Sequence, residues 1–178
     1  KRTIIVQGGP GTGKTVIAVN LLAELTQRDQ MVQYVSKNSA PRQVYLKKLK
    51  GQMKKSSVDN MFKGSGTYTE AGNNVAHTLL VDEAHRLNEK SGMFHNLGEN
   101  QIKEIIHAAF CSVFFIDESQ RVTMDDIGSV AEIEHWAKEE GSEIHYLELQ
   151  SQFRCNGSDG YLAWLDDVLD IRETANYD

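Results

Sequence analysis

The residues with the clearest chemical potential form a glycine-rich stretch near the start of the chain. Gly8 stands five positions before Gly13, which is followed by a lysine and a threonine, and this spacing matches a phosphate-binding loop. Glycines allow successive backbone N–H groups to point inward and to form a concave site for anions. A helix that begins near Gly13 would add the positive end of its dipole. The stretch comprises Gly8, Gly9, Pro10, Gly11, Thr12, Gly13, Lys14 and Thr15.

Two side chains at the end of this stretch predict how a nucleotide would be held. Lys14 would place a mobile ammonium group against the β- and γ-phosphates. Thr15 offers a hydroxyl group to Mg²⁺, an ion that prefers oxygen ligands. We therefore expect residues 8–15 to bind ATP with Mg²⁺, and we expect Lys14 to act in catalysis as well.

A pair of adjacent carboxylates follows an apolar run at positions 79–81. Asp82 and Glu83 end a predicted buried strand, and the alternation of side chains along a strand would direct them differently. We expect Asp82 to hold Mg²⁺ and Glu83 to orient or deprotonate the attacking water. For His85 we expect a role in coupling this site to its surroundings rather than in binding a metal.

Strand-like and helical segments alternate along the chain and must position these residues. The predicted strands are Thr3–Val6, Val32–Ser36, Thr78–Asp82, Ser112–Asp117 and Glu143–Leu149. Helical patterns are predicted around 17–25, 41–50, 102–109, 129–137 and 161–169, with the spacing of a capping box from Ser129 to Glu132. Continuous apolar strands are typical of sheets covered on both faces. The pattern predicts an α/β fold of three layers, with a mainly parallel sheet flanked by helices.

Charge is distributed unevenly along the 178-residue chain, whose formal net charge is −6. Residues 1–81 contain 12 Lys or Arg and 4 Asp or Glu, whereas residues 82–178 contain 7 and 21. Between Met31 and Val58 there are seven basic residues and no acidic one. Such a local positive field favours either a phosphate-binding surface or a solvated helix face, and the residues alone leave both readings open.

Composition argues against several classes of protein. A hydrophobic content of 40% and a charged content of 25% are typical of a soluble globular domain. No apolar stretch is long enough to span a membrane and no secretory signal opens the chain, so we expect no membrane partner. Cys111 and Cys155 form neither a disulfide framework nor a metal-binding spacing, which predicts a cytoplasmic location. Because the chain begins at Lys1 rather than at a methionine, we expect it to be a fragment.

Four motifs resemble, in their order along the chain, those of the first RecA-like domain of a superfamily 1 DNA/RNA helicase. They read GGPGTGKT, VDEAH, FFIDESQR and LQSQFRCNGS. The likeness is closer still to the Schlafen-group helicase-like proteins and their bacterial relatives, through DESQRV, SQFRCNGSDGYLAWLDDVL and IRETAN. It extends from Ile4 to about Asn176. The first two motifs occur in many phosphate-loop ATPases, whereas the last two are much more specific.

The resemblance implies further site residues. Gln120, together with Asp117, matches a motif in which a glutamine senses the γ-phosphate. The strand before this motif would then lie between the strands that carry the phosphate loop and the paired carboxylates. Arg154 matches a motif whose arginine reaches the γ-phosphate and stabilises charge on the transferring group. Two departures are Ile116, where many relatives have glycine, and the Gln-Phe pair at 152–153, where Asn-Tyr is usual.

The resemblance also implies that the segment after the second strand contacts the nucleic-acid backbone. This favours a phosphate-tracking surface as the reading of the basic stretch. Single-stranded DNA or RNA would be the partner, and the scarcity of aromatic residues nearby gives little support to base stacking. The expected contacts are Lys37, Asn38, Arg42, Lys47 and Lys48.

The predicted organisation is a RecA-like ATP-binding domain over residues 1–150. Residues 151–178 would begin the segment leading to a second RecA-like domain in cis. We expect a nucleic-acid-dependent ATPase or helicase motor that, as an isolated chain, binds nucleotide, hydrolyses it slowly and unwinds nothing. A nucleotide-gated binding module that moves no strand remains an alternative. A small-molecule phosphotransferase is a third reading, disfavoured because the long polar stretches at 56–77 and 87–100 contain few arginines for an acceptor lid.

Overall fold

The computed structural model describes residues 1–37, 60–92 and 96–150. The strands are β1 (Arg2–Gly8), β2 (Val32–Ser36), β3 (Phe62–Lys63), β4 (Ala76–Asp82), β5 (Ala109–Ile116) and β6 (Glu143–Leu149). The α-helices are α1 (Lys14–Gln27), α2 (Gln101–Ala108) and α3 (Val130–Glu139). Short 3₁₀ turns cover Ser65–Tyr68, Ala84–Arg86 and Glu118–Gln120. The six strands form one sheet in the order β3-β2-β4-β5-β1-β6, and every pairing is parallel.

Helices cover both faces of the sheet, which confirms the predicted three-layer α/β fold. Neighbouring residues of one strand enter opposite cores, which explains the continuous apolar runs at 79–81 in β4 and 113–116 in β5. Residues that pack towards α2 and α3 include Ile5, Leu79, Val81, Phe114 and Ile116. Residues that pack towards α1 include Val6, Tyr34, Leu80, Val113 and Phe115. Within the described ranges, no helix is long and apolar enough to cross a membrane.

Strand β5 lies at the centre of the sheet, between β4 and β1. Val6 of β1 lies opposite Phe115, and Val81 of β4 lies opposite Phe114. The carboxyl ends of these three strands therefore meet at one edge, where open parallel sheets bind their ligands. The phosphate loop, Asp82 and the residues after Ile116 converge there, in the strand order that the resemblance implied.

The polar stretch before β4 is partly packed rather than being a simple connection. Its strand β3 was not predicted, because two residues are too short to show a period. Phe62 of β3 is buried against the ring of Tyr34, with 5.6 Å between ring centroids. Tyr68 is also buried, and its hydroxyl group donates to Gln33 Oε1 at 3.0 Å. The helices predicted around 41–50 and 161–169 lie outside the described residues.

Side chains cap the N-termini of α2 and α3, and the predicted capping box of α3 is partly formed. Asn100 caps α2, since its Oδ1 accepts from the N–H groups of Ile102 and Lys103. At α3 the hydroxyl group of Ser129 accepts from Glu132 N–H at 3.1 Å, as in a capping box. The Glu132 carboxylate accepts instead from Asn100 and Trp136, so only the forward half of the box forms.

Candidate nucleotide-binding site

The glycine-rich stretch forms a tight loop between β1 and α1. Gly11 and Gly13 have φ values of 80° and 89°, in the left-handed region that glycine reaches without a steric penalty. Gly13 is the N-cap of α1, and no side-chain hydrogen bond caps this helix within the described residues. The first N–H groups of α1 are therefore directed at the loop and can bind an anion. The loop lies directly against β6, because a Cβ at Gly8 would approach Leu149 Cβ to 3.1 Å.

Lys14 is buried at the start of α1, and its ammonium group lies inside the loop. Its Nζ donates to Gly8 O at 2.6 Å and to Gly9 O at 2.8 Å. The same atom lies 3.6 Å from Asp117 Oδ2. The cation is thus placed at the mouth of the anion site, held by neutral carbonyl groups and one carboxylate.

Thr15 and Asp82 join the phosphate loop to the end of β4. Thr15 Oγ1 donates to Asp82 Oδ2 at 2.8 Å, and the hydroxyl group of Tyr34 donates to the same oxygen. Burial raises the pKa of Asp82, although the hydrogen bonds from Tyr34 and Thr15 oppose this shift. Among the described residues no cationic side chain pairs with this buried carboxylate.

The donor set at this point fits a magnesium ion bound together with phosphate. A buried carboxylate without a cationic partner and a neighbouring hydroxyl group supply two oxygen ligands, and Mg²⁺ takes its remaining ligands from phosphates and water. Within the described part of the chain, no group of three or more His, Cys, Asp or Glu side chains could hold a metal ion.

Glu83 adopts a backbone conformation that is uncommon for a residue with a side chain. Its φ is 55°, in the left-handed region. Its Oε2 lies 3.1 Å from Nε2 of the buried His85, and this hydrogen bond lowers the pKa of Glu83. Glu83 is thus held as a carboxylate beside His85. The Nδ1 atom of His85 is buried and has no partner among the described residues, whereas its Nε2 atom faces Glu83.

Gln120 is connected to Lys14 through Asp117. Its Nε2 donates to Asp117 Oδ2 at 2.8 Å, the same oxygen that lies 3.6 Å from Lys14 Nζ. Ser119 fixes the other oxygen of Asp117 with its N–H and hydroxyl groups. Gln120 and Glu83 line one cavity of about 710 Å³ together with the loop and the start of α1. The remaining lining residues are Gly11, Thr12, Gly13, Lys14, Thr15, Val16 and Ile17.

The predicted nucleic-acid contacts are only partly within the described residues. Lys37 directly follows β2, and its Nζ lies 2.7 Å from Asn88 Oδ1 and 3.1 Å from Asp126 Oδ1. Its ammonium group is therefore engaged inside the molecule, and its role towards nucleic acid stays a prediction. Asn38, Arg42, Lys47, Lys48 and the predicted catalytic Arg154 lie outside the described residues.

Three residues near the site were not found from the sequence. Tyr34 reaches Asp82 from the neighbouring strand, and a hydroxyl-bearing aromatic residue inside an apolar strand was the available signal. Asp126 is fully buried and contacts several strand ends. Gly128 lies against the turn after Glu83, where a Cβ would come within 2.6 Å of His85 Cα. The sequence Asp-Asp-Ile-Gly at 125–128 was the signal for the last two.

The family of the chain follows from a match over its whole length. The family described as "Schlafen group 3, DNA/RNA helicase domain" matches residues 1–178. The chain belongs to this family. The Schlafen group 3 assignment, the phosphate loop and the parallel sheet together support a nucleotide-dependent, helicase-like domain.

Solved structures resemble this Schlafen group 3 helicase domain in fold. Pif1 helicase from Candida albicans has a TM-score of 0.53 and 14% identity, over 98% of this chain and 42% of that chain. The Hef helicase domain from Pyrococcus furiosus has a TM-score of 0.45 and 12% identity, over 84% of this chain and 36% of that chain. AMPPCP-bound DnaA from Aquifex aeolicus has a TM-score of 0.37 and 15% identity, over 98% of this chain and 48% of that chain. The likeness to Pif1 helicase shows the fold alone, and the likenesses to Hef and DnaA are weaker.

The chain spans less than half the length of these solved proteins. No curated protein matches its sequence significantly.

Proposed function

We propose that this domain binds and hydrolyses ATP as the motor domain of a nucleic-acid-dependent ATPase of the superfamily 1 type. The observation that carries the proposal is the 2.8 Å contact between Thr15 Oγ1 and Asp82 Oδ2. Two oxygens that suit Mg²⁺ lie together beside the anion site, which supports the proposal, and Glu83 lines the same cavity. A glycine turn with only a structural role would not need this pair of oxygens or a buried ammonium group beside it.

Binding of the triphosphate would rely on the loop and on Lys14. The N–H groups of the loop and of the first turn of α1 would donate to phosphate oxygens. Lys14 would exchange the carbonyl groups of Gly8 and Gly9 for oxygens of the β- and γ-phosphates. Thr15 and Asp82 would hold Mg²⁺, which when bound neutralises negative charge on the phosphates.

Hydrolysis would rely on the carboxylate of Glu83. The oxygen of a water molecule bonds to the γ-phosphorus as the bond to the β–γ bridging oxygen breaks, and ADP leaves with that electron pair. Glu83 would orient this water and accept its proton, and its lowered pKa keeps the side chain in the anionic form that can accept. Gln120 would respond to the γ-phosphate and Arg154 would stabilise its charge, a contribution typically worth about 10³–10⁵ in rate.

The partner surface is proposed from the sequence and the family. Residues 37–48 would track the phosphates of single-stranded DNA or RNA, and residues 151–178 would lead to a second RecA-like domain in cis. Neutralising Lys47, Lys48 and Lys50 should flatten the dependence of nucleic-acid binding on salt concentration. An unchanged slope would place the strand elsewhere.

ATP hydrolysis by the full-length protein, measured with and without single-stranded DNA or RNA, tests the proposed function. Marked stimulation by either nucleic acid supports the motor. Tight ATP binding with no stimulation supports a nucleotide-gated binding module instead, and turnover that requires a small acceptor supports a phosphotransferase. Lys14→Ala serves as the negative control. It should weaken the binding of a fluorescent ATP analogue by about 10-fold or more.

A further inference from the structure

Asp126 lies at the centre of a polar cluster outside the candidate nucleotide cavity. Its side chain is fully buried. Oδ2 accepts from the N–H groups of Val122 and Thr123 at 3.2 and 3.0 Å, and Oδ1 lies 3.1 Å from Lys37 Nζ. A carboxylate that is removed from water in this way depends on donors and cations held in one geometry.

The cations around Asp126 come from the ends of three strands. Lys37 directly follows β2. Arg86 belongs to the turn after β4, with its Nε 3.4 Å from Asp126 Oδ2. Arg121 follows the 3₁₀ turn after β5, and its Nε donates to the main-chain oxygen of Asp126 at 3.1 Å. We call these four residues the Asp126 clamp.

The segment that follows Asp126 is packed tightly against the turn that carries Glu83. Ile127 N–H donates to Leu87 O at 2.8 Å. Gly128 lies so close to Ala84 and His85 that not even a methyl group fits between them. Neither the 121–128 segment nor the turn at 83–87 can therefore shift without the other.

We propose that Asp126 is the positioning residue that couples Lys37, at the end of β2, to Glu83 and Gln120. The inference rests on the proposed function, in which nucleic acid contacts Lys37. Displacing Lys37 would leave a buried carboxylate short of positive charge, and the strand ends that hold Arg86 and Arg121 would have to rearrange with it. Gln120 directly precedes Arg121, and Glu83 begins the turn that contains Arg86.

Such coupling is reciprocal. If bound nucleic acid changes the affinity for an ATP analogue by some factor, the analogue changes the affinity for nucleic acid by the same factor. Typical coupling factors are roughly 5–150. Asp126 is not among the residues that line the nucleotide cavity, so its replacement should act on this factor rather than on ATP affinity alone.

The test compares Asp126→Asn with Asp125→Asn in the full-length protein. The asparagine keeps the shape and can still accept hydrogen bonds but removes the charge, and Asp125 is an exposed carboxylate one residue away. The measurements are kcat and KM for ATP with and without saturating oligo(dT) or poly(U). The affinity for the same oligonucleotide is measured with and without a non-hydrolysable ATP analogue.

In wild type and Asp125→Asn we expect the same stimulation and the same coupling factor. In Asp126→Asn we expect stimulation to fall about 10-fold and the coupling factor to approach one, while turnover without nucleic acid and KM change about twofold or less. Unchanged stimulation and coupling in Asp126→Asn would overturn the inference. So would an equal loss of basal turnover, stimulated turnover and thermal stability, because that pattern is the signature of a purely structural residue.

Failure of the proposed function gives a different result, because the wild-type protein itself would then show no stimulation. If Asp126→Asn does not fold, as judged by circular dichroism, Arg86→Gln replaces it. That variant removes one cation at the Glu83 end of the clamp and should reduce the coupling factor in the same direction. An unaltered factor in Arg86→Gln would contradict the inference.

Discussion

Two adjacent carboxylates at the end of β4 have opposite electrostatic environments. Burial raises the pKa of Asp82, whereas the hydrogen bond from His85 lowers the pKa of Glu83. The first carboxyl group lacks a cation among the described residues, and the second is already stabilised as an anion. A cation such as Mg²⁺ would therefore stabilise the ionised form of Asp82, whereas Glu83 is already anionic and can accept a hydrogen bond from water.

Glu83→Gln should leave nucleotide binding intact and stop turnover. The amide keeps the size of the side chain but cannot accept a proton, and general-base catalysis typically contributes about 10²–10⁴-fold. ATP-analogue affinity and single-turnover hydrolysis measure the two effects separately. Glu89→Gln, which changes an exposed glutamate nearby, should behave as wild type. Comparable hydrolysis in Glu83→Gln would remove Glu83 from its proposed role.

Asp126→Asn should change stability in a way that depends on pH. Burial raises the pKa of Asp126, but the N–H groups of Thr123 and Val122 and the Lys37 ammonium group outweigh it and hold the pKa below its ordinary range. A lowered folded-state pKa gives stability that is complete above the unfolded-state value of about 3.9 and is lost as the pH falls through the folded-state value.

Below about pH 4, the Tm of wild type should therefore fall more steeply than that of Asp126→Asn. Calorimetry from pH 3 to pH 7 measures this difference, and Asp125→Asn should follow the wild-type curve. Parallel curves for wild type and Asp126→Asn would contradict the assigned pKa direction.

At the level of elements, the sequence predicted what local patterns determine. Five of the six strands in the described ranges were found because each has at least five residues, and the phosphate loop was found because its chemistry requires adjacent residues. The contacts of Tyr34 and Asp126 were not predictable, since their partners lie on other strands and depend on the strand order. The same is true of Gly128. A glycine fits there because the chain closely approaches the backbone of Ala84 and His85, more than 40 positions earlier.

Gly128→Ala should disturb the turn after β4. The added methyl group would overlap the Ala84 carbonyl oxygen and lie 2.6 Å from His85 Cα. Overpacking of this kind typically costs about 1–3 kcal/mol of unfolding free energy. We expect kcat to fall more than ATP affinity, because the turn carries Glu83 whereas the phosphate loop is separate from it.

Gly72→Ala is the control for this variant, since its Cβ would meet only Val75 Cγ1 at an ordinary 3.4 Å. Urea denaturation and steady-state kinetics measure both effects. Equal stability and kcat in Gly128→Ala and Gly72→Ala would show that the close approach has no consequence for the site.

At the scale of the whole molecule, the isolated chain should bind nucleotide and turn it over slowly. The phosphate loop, Asp82 and Glu83 lie within the described residues. The resemblance implies that a second RecA-like domain completes the site. Equilibrium binding of a fluorescent ATP analogue and single-turnover hydrolysis, each compared with the full-length protein, test this expectation. Turnover by residues 1–178 at the rate of the full-length protein would contradict it.

The order of the strands has a consequence for synthesis on the ribosome. Strand β1 pairs with β5, where Arg2 lies opposite Cys111, and with β6, where Arg2 lies opposite Glu143. At about 5–20 residues per second, the first of these neighbours is translated roughly 5–20 s after β1. Until then Ile5 and Val6, both buried in the finished sheet, have no cover from either neighbour. The nascent chain should therefore be a chaperone client during this interval, and a ribosome stalled before β5 would hold a phosphate loop that cannot yet form.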